Sequence, residues 1–563
     1  METTDRRQFW WFMLLALVVL AAGLGLRDPW PPDEPRFTLI ARQMVESGQW
    51  LFPHRGIELY SDKPPFLMWL EAAAFTVTGQ WRIAFLLPSL VAGMATLALT
   101  WDIGRRLWNP RVGLYAAIAV LVTVQFVEQS RRAQIDPIVM CWITLGNWGI
   151  LRHCLRGPDW RAFWLGCFAA GLGVITKGVG ILALFMLIPY AVVRRRGWSG
   201  VTQTQGNGWR WAGGALAFVL AIAVWLAPML LHALTAPGPD FHAYVNDILF
   251  RQTAGRYAAS WQHHEPIWYF LPVLVVEWFP LCLLYLPMLP RWREAFATRE
   301  ARVVMPLAWV LIVLVFFSIP SGKREVYLMP AIPMMALAMA PYLEEVVKLR
   351  WLRWLCVGLA VLAGMVLFGG GLWAVFGHPK FTARVADRNL VDGGRHFWLA
   401  VATMGALLLA AAAFFRARRG ALALVVGMAA AWVAWAIGVY PQFNPSESTL
   451  AMMQRVDATI GPQGQLGLVG WREEHRLMSP RTPTDFGFSR GFNVQMRDGL
   501  AWQGQDPAQR WIFAGDYALG PCIDKSRAVD LGRVNRYEWW LFEASAVIPG
   551  CDPMKGSNAV EGP

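Results

Sequence analysis

Apolar runs of membrane-crossing character alternate with short polar junctions through most of this chain. They fall near 9–26, 83–104, 113–130, 137–155, 162–176, 178–193, 212–233, 267–288, 303–319, 325–343, 351–376, 397–415 and 421–440. A helix must cover about 30 Å of hydrocarbon to cross a bilayer, and the pattern predicts about thirteen transmembrane helices in a polytopic α-helical membrane protein. The first run follows Arg6 and Arg7, carries no cleavage-site pattern and is succeeded by further runs, so it reads as an anchor rather than a removed signal peptide.

The polar junctions give the expected orientation. Every second one is basic: Arg105-Arg106 with Arg111, Arg194-Arg195-Arg196, Arg291 with Arg293, Lys348 with Arg350, and Arg416 with Arg418-Arg419. Short basic loops stay in the cytoplasm, which predicts a cytoplasmic N-terminus. An odd number of spans then puts 441–563 on the far face, together with the long segments 27–82, 234–266 and 377–396. Two domains are expected: a membrane domain over 1–440, with 27–82 as its first outer loop, and a small soluble extracytoplasmic α/β domain over 441–563. In the latter, Ser446 reads as the N-cap of a helix carrying Leu450, Met453, Val456 and Ile460. Leu466–Val469, Trp511–Ala514 and Trp539–Phe542 read as strands.

Composition agrees with the membrane reading. Hydrophobic residues make up 56% and charged residues 16%, against roughly 45 to 50% and about 25% in soluble domains. Mean hydropathy is +0.36. The net charge of +13 divides into −2 over 441–563 and +15 upstream. The positive charge therefore sits largely in the loops that orient the chain, and a nucleic-acid partner is excluded. Of seven cysteines only Cys522 and Cys551 lie in the tail, where an oxidising compartment would join them.

The first outer loop is too long for a plain connector. Asp33-Glu34-Pro35-Arg36 opens a predicted amphipathic helix with Phe37, Ile40, Ala41, Met44 and Val45 on one face, suited to lie along the membrane surface. A second follows Lys63-Pro64-Pro65, since proline is tolerated in a first helical turn. Asp33 and Glu34 would cap the helix in the bland reading, or serve as a base or positioning group in the functional one. Lys63, Arg131, Arg132, Lys177, Arg251, Arg256, Lys323 and Arg324 share the outer face, against the orientation rule. An anionic lipid phosphate held by charge-assisted hydrogen bonds explains such a set. Asp136 is either a cap ahead of Pro137 or the acidic partner of Lys177. His263-His264 leaves a divalent metal open, with no cofactor otherwise called for. Glu277 stands inside the eighth apolar run, where a carboxylate is costly and either functional or buried in a hydrogen bond.

Seven motifs in one order carry a resemblance: Asp33-Glu34-Pro35-Arg36-Phe37, Tyr60-Ser61-Asp62-Lys63-Pro64-Pro65, Arg132 to Asp136-Pro137, Thr176-Lys177-Gly178, Asp247 to Arg251, Pro266-Ile267-Trp268-Tyr269, and Ser321-Gly322-Lys323-Arg324 leading to Tyr327-Leu328-Met329-Pro330. The chain resembles, over roughly 9–343, the GT-C-fold glycosyltransferases that use polyprenyl-phosphate sugars, among them bacterial lipid A aminoarabinose transferases and protein O-mannosyltransferases. The resemblance implies a multi-pass enzyme of the bacterial inner membrane. Its partners would be a polyprenyl-phosphate sugar donor and a lipid or glycan acceptor, lipid A above all. It implies Asp33 as the essential acid, with Glu34, Arg36, Asp136 and Lys177 beside it in the catalytic set. Lys63 and Arg251 would grip the lipid phosphate, with Tyr60, Tyr327, Lys323 and Arg324 around it. The sequence departs from the family in having Asp62 where Glu is common, and Asn246-Asp247 where Glu-His is frequent. A protein acceptor and a lipid-linked sugar flippase are the alternative readings.

Overall fold

The computed structural model describes residues 3–204, 207–235, 239–249, 264–377 and 390–555. Helix occupies the greater part of each apolar run. Among the described residues seven helices are long and apolar enough to cross a membrane, or up to nine if each of two bent pairs is one span. The remaining apolar helices, such as Ile135–Arg156 and Trp160–Lys177, pack inside the bundle. Small residues permit the close approach: a Cβ on Gly149 would come within 2.2 Å of the Ala162 carbonyl, so these two helices need glycine there.

The bent pairs explain one misfit in the sequence. Glu277 lies at the 96° break between Phe270–Val276 and Leu281–Ala297, not within a continuous helix. Its carbonyl accepts from the backbone N–H of Gln125 at 2.9 Å, so the break is stitched to the other bent pair, Pro110–Leu121 and Val124–Ser130.

The C-terminal region carries a five-stranded sheet in the order Thr484–Asp485, Gln465–Val469, Arg510–Gly515, Tyr537–Phe542, Val529–Val534. The first three strands are parallel and the last two join antiparallel. Three of these strands match the apolar runs of the sequence. Thr484–Asp485 is too short to show a period, and Val529–Val534 carries only one fully buried side chain, Leu531. The expected helix is Leu450–Ile460 with Thr449 at its N-cap. Ser446 instead belongs to a preceding helix, Tyr440–Glu447, because the chain leaves the last span still helical.

The first outer loop is held between the two regions. Helix Glu34–Ser47 buries Phe37, Ile40, Ala41 and Met44 in the core of the bundle, while Leu39 enters the core of the C-terminal region. Protein thus packs against both sides of this amphipathic helix. Gly48 ends it at φ 72°, donating to the Met44 carbonyl at 3.0 Å. A hairpin, His54–Arg55 with Glu58–Leu59, follows. Its Gly56 sits so close to Asp485 that a Cβ would lie 2.7 Å from Oδ2.

Candidate active site

Asp33 occupies the N-cap of helix Glu34–Ser47, yet its side chain makes no capping hydrogen bond. The carboxylate is turned instead toward three donors. Arg36 Nη1 lies 3.5 Å from Oδ1, Arg324 Nη2 3.9 Å from Oδ2, and Gln134 Nε2 donates to Oδ2 at 3.3 Å. The bland capping reading of Asp33 therefore does not describe the geometry.

Glu34 has a different environment. It is 4% exposed and accepts from Arg27 Nη2 at 2.7 Å, with Nη1 on the other oxygen, from the Trp30 N–H at 2.8 Å and from the Ala133 N–H at 3.0 Å. A carboxylate with four donors inside protein has no lone pair directed to a substrate. It fastens the start of the helix to the Arg131–Ala133 turn, where Arg27 also reaches the Arg131 carbonyl at 3.2 Å. Adjacent residues that read as one acidic pair thus face two separate settings.

Arg36 donates through Nε to Glu473 at 3.0 Å, and Arg55 approaches the same oxygen at 3.4 Å. Glu473 opens the short helix Glu473–Met478 of the C-terminal region, so the tail contributes a charge to the Asp33 cluster. No residue beyond 343 was expected there. Tyr60 lies under Arg55, whose guanidinium is 5.4 Å from the ring. Its buried hydroxyl has no hydrogen-bond partner among the described residues. Burial pushes its pKa up, so it is held as a neutral donor.

Asp136 and Lys177 meet in a direct ion pair. Asp136 is in the first turn of helix Ile135–Arg156, whose N-cap is Gln134, and Lys177 ends helix Trp160–Lys177. The Lys177 ammonium also stands 5.0 Å over the ring of Tyr327. Gln134 and Asp136 share one helix start, and Arg324 caps the 3-10 turn Glu325–Ala331 that contains Tyr327. These two connections join the Asp33 group to the Asp136–Lys177 group in one cluster.

Other expected basic residues are placed differently. Lys323 is 3% exposed and donates to the Glu265 carbonyl at 2.8 Å, tying segment 264–266 to 321–323. Arg131 donates to the carbonyls of Trp432 and Ala22 at 3.1 and 3.0 Å, and Arg132 pairs with Glu128 at 2.6 Å. Packing and pairing thus account for both without an anionic ligand. Lys63 is half-buried in the turn entering helix Phe66–Thr78. Arg251, Arg256 and His263 lie outside the described residues. A cavity of about 860 Å³ opens beside this turn, lined among others by Glu58, Ser61, Asp240, Tyr244, Asp247 and Arg490. Ser61 donates to the Asp247 carboxylate across its wall. Among the described residues no group of three His, Cys, Asp or Glu side chains is placed to hold a metal ion.

The fold has a counterpart among solved structures. ArnT from Cupriavidus metallidurans, crystallised with undecaprenyl phosphate, superposes with a TM-score of 0.73 at 19% identity, covering 96% of this chain and 99% of that one. The helical bundle with its sheet-bearing C-terminal region is thus a GT-C fold in a multi-pass membrane protein. Residues 62–226 match the family model for dolichyl-phosphate-mannose-protein mannosyltransferase.

Among curated relatives, the undecaprenyl phosphate-alpha-4-amino-4-deoxy-L-arabinose arabinosyl transferase of Pseudomonas aeruginosa (strain UCBPP-PA14) is 32% identical over 381 residues. That stretch is 64% of this chain and 65% of the relative, just under two thirds of its length. The enzyme of that name, numbered 1, from Sodalis glossinidius is 30% identical over 422 residues, 70% of each chain. The chain belongs to the undecaprenyl phosphate-alpha-4-amino-4-deoxy-L-arabinose arabinosyl transferase family.

Proposed function

We propose that this protein moves a 4-amino-4-deoxy-L-arabinosyl group from undecaprenyl phosphate to lipid A at the outer face of a bacterial inner membrane. The observation that carries the reading is the Asp33 carboxylate, released from helix capping and set among Arg36, Arg324 and Gln134 in a chain of this family. The orientation in which the N-terminus is cytoplasmic and 441–563 periplasmic belongs to the same proposal, as does the division into domains at 440.

In the reaction an oxygen of the acceptor bonds to the anomeric carbon while the bond from that carbon to the undecaprenyl phosphate oxygen breaks. The leaving phosphate takes the electron pair. Lys63 and Arg251 neutralise its growing charge, a form of electrostatic transition-state stabilisation. Asp33 orients an acceptor phosphate through the flanking arginines, or takes the proton if the acceptor is a hydroxyl. Arg36 and Arg324 position Asp33, and the Asp136–Lys177 pair with Tyr327 and the neutral Tyr60 hydroxyl complete its surroundings. Glu34 and Lys323 act as positioning residues, through the helix start and the 264–266 segment. The cavity lined by Glu58, Asp240 and Asp247 offers carboxylates to the amino group of the sugar.

The test compares Asp33→Asn with Lys63→Ala. Asp33→Asn should abolish transfer while undecaprenyl phosphate still binds in native mass spectrometry. Lys63→Ala should weaken that binding, since a charged hydrogen bond contributes about 1.5 to 3 kcal/mol. Transfer by Asp33→Asn at the wild-type rate would overturn the reading. Glycosylated protein in place of modified lipid A would select the mannosyltransferase-like alternative.

A further inference from the structure

A second cavity lies at the other end of the bundle. Helical segment Glu325–Val346 starts beside Arg324 at the Asp33 cluster, so Leu343 and Val347 mark the end farthest from it. There an apolar groove of about 210 Å³ is walled by Leu284, Leu343, Leu352, Cys356, Leu422 and Val425, among others. Its walls come from five separate parts of the chain, and Leu422 is 46% exposed at its margin.

Arginines adjoin, in sequence, two of the segments that wall the groove. Leu352 lies between Arg350 and Arg353 in helix Arg350–Val375, and Ala421 and Leu422 directly follow Arg416, Arg418, Arg419 and Gly420. Gly420 brings these two segments together, because a Cβ on it would be 2.1 Å from the Arg353 carbonyl. Arg350, Arg416, Arg418 and Arg419 are exposed, and among the described residues none has an ion-pair partner. The nearby carboxylates are already engaged, Glu344 with Lys348 at 3.0 Å and Glu345 with Arg291 at 3.6 Å. Orientation of the chain accounts for arginines in this loop. It does not account for an apolar groove opening at their feet.

We infer that this groove binds an anionic phospholipid of the surrounding bilayer, one acyl chain lying against Leu352, Cys356 and Val425 and the phosphate held by Arg350, Arg416, Arg418 and Arg419. The groove excludes polar ligands, and the unpaired guanidinium groups complement a phosphate at headgroup level, where basic pockets between helices select acidic lipids. The site is distinct from the donor site, which sits with Lys63 at the opposite end.

Native mass spectrometry of the full chain with added palmitoyl-oleoyl-phosphatidylglycerol, or the matching phosphatidylethanolamine, tests this. The wild type should retain phosphatidylglycerol at least fivefold better than phosphatidylethanolamine. Arg418→Ala with Arg419→Ala should abolish that preference, and Arg418→Lys with Arg419→Lys should keep most of it. Ala421→Trp, at a half-buried wall position, should reduce phosphatidylglycerol occupancy by filling the groove while undecaprenyl phosphate still binds. Equal retention of the two phospholipids by the wild type would overturn the inference. So would undiminished phosphatidylglycerol binding by a folded alanine double variant, or its one-for-one displacement by undecaprenyl phosphate.

Discussion

Glu473 accepts a hydrogen bond from Arg36 Nε at 3.0 Å across 437 positions of sequence. Arg36 stands in turn 3.5 Å from Asp33, so the C-terminal region reaches the Asp33 carboxylate through one intervening side chain. Arg55 shares the same Glu473 oxygen at 3.4 Å. Glu473→Gln removes the charge that balances two arginines and frees Arg36 to pair more closely with Asp33. The expected outcome is a fall of at least tenfold in kcat with little change in KM for the donor, and with undecaprenyl phosphate binding preserved. Steady-state kinetics on purified variants checks it, and an unchanged kcat would make the contact a tether between regions.

Much of the cluster was legible in the sequence because the signals were local. Asp33, Arg36, Asp136, Lys177 and Arg324 stand at ends of helices, where topology assembles them on one face, and the Asp136–Lys177 pair is one of two alternatives the residues allowed. Glu473 was not legible. It belongs to a polar helix of six residues with no usable period, and only tertiary folding brings it to Arg36. The cover on the second side of helix Glu34–Ser47 was not legible for the same reason, since its apolar face says nothing of Leu39, which packs into the C-terminal core. Nor can sequence distinguish Asp33 from Glu34. One peptide step turns one carboxylate toward the cluster and buries the other against Arg27.

That division gives opposite phenotypes to neighbouring carboxylates. Removing the charge of Glu34 leaves Arg27, itself 2% exposed, buried without its counter-ion, and breaking such a pair costs about 3 to 5 kcal/mol. Glu34→Gln should therefore lower the thermal midpoint and the yield of folded protein, whereas Asp33→Asn should leave both unchanged. Thermal unfolding in detergent of the two variants side by side distinguishes them. A Glu34→Gln protein as stable as the wild type would show that Arg27 is held by the carbonyls of Asp28 and Arg131 and by the Trp30, Phe85 and Tyr440 rings it faces.

Cys522 and Cys551 form a disulfide, separated by 29 positions. The bond closes a loop containing strands Val529–Val534 and Tyr537–Phe542, the antiparallel edge of the sheet. Constraining the unfolded form of such a loop stabilises the fold by about 3 to 4 kcal/mol. Cys522→Ser with Cys551→Ser should destabilise the C-terminal sheet by that order, read as earlier protease cleavage within 510–542. Non-reducing peptide mapping of the wild type should recover the linked pair, and two free thiols there would remove the basis of the prediction.

Glu474 is buried beside Glu473, and its pKa is pushed up to about 7. Burial is the main cause and Glu473 adds to it, outweighing its own backbone N–H, Arg472 and the Asn535 amide at 3.2 Å. The folded state thus keeps a proton that the unfolded chain loses near pH 4.5. Below that pH both states are protonated and there is no penalty. As pH rises toward 7 the unfolded state binds fewer protons than the folded one, so stability falls, by about 3 kcal/mol in all. His475 acts in the opposite sense. Burial lowers its pKa from 6.5 to about 3, so the stability it withholds in acid is recovered as pH rises to 6.5. The two effects oppose each other between pH 4.5 and 6.5, and only a comparison of variants separates them. Glu474→Gln keeps His475 and an acceptor for Asn535 but has nothing to titrate. Its thermal midpoint should match the wild type at pH 4.5 and exceed it increasingly up to about pH 7, then by a constant margin. A constant difference across pH 4.5 to 8.5 would mean that Glu474 is ionised in the folded protein throughout.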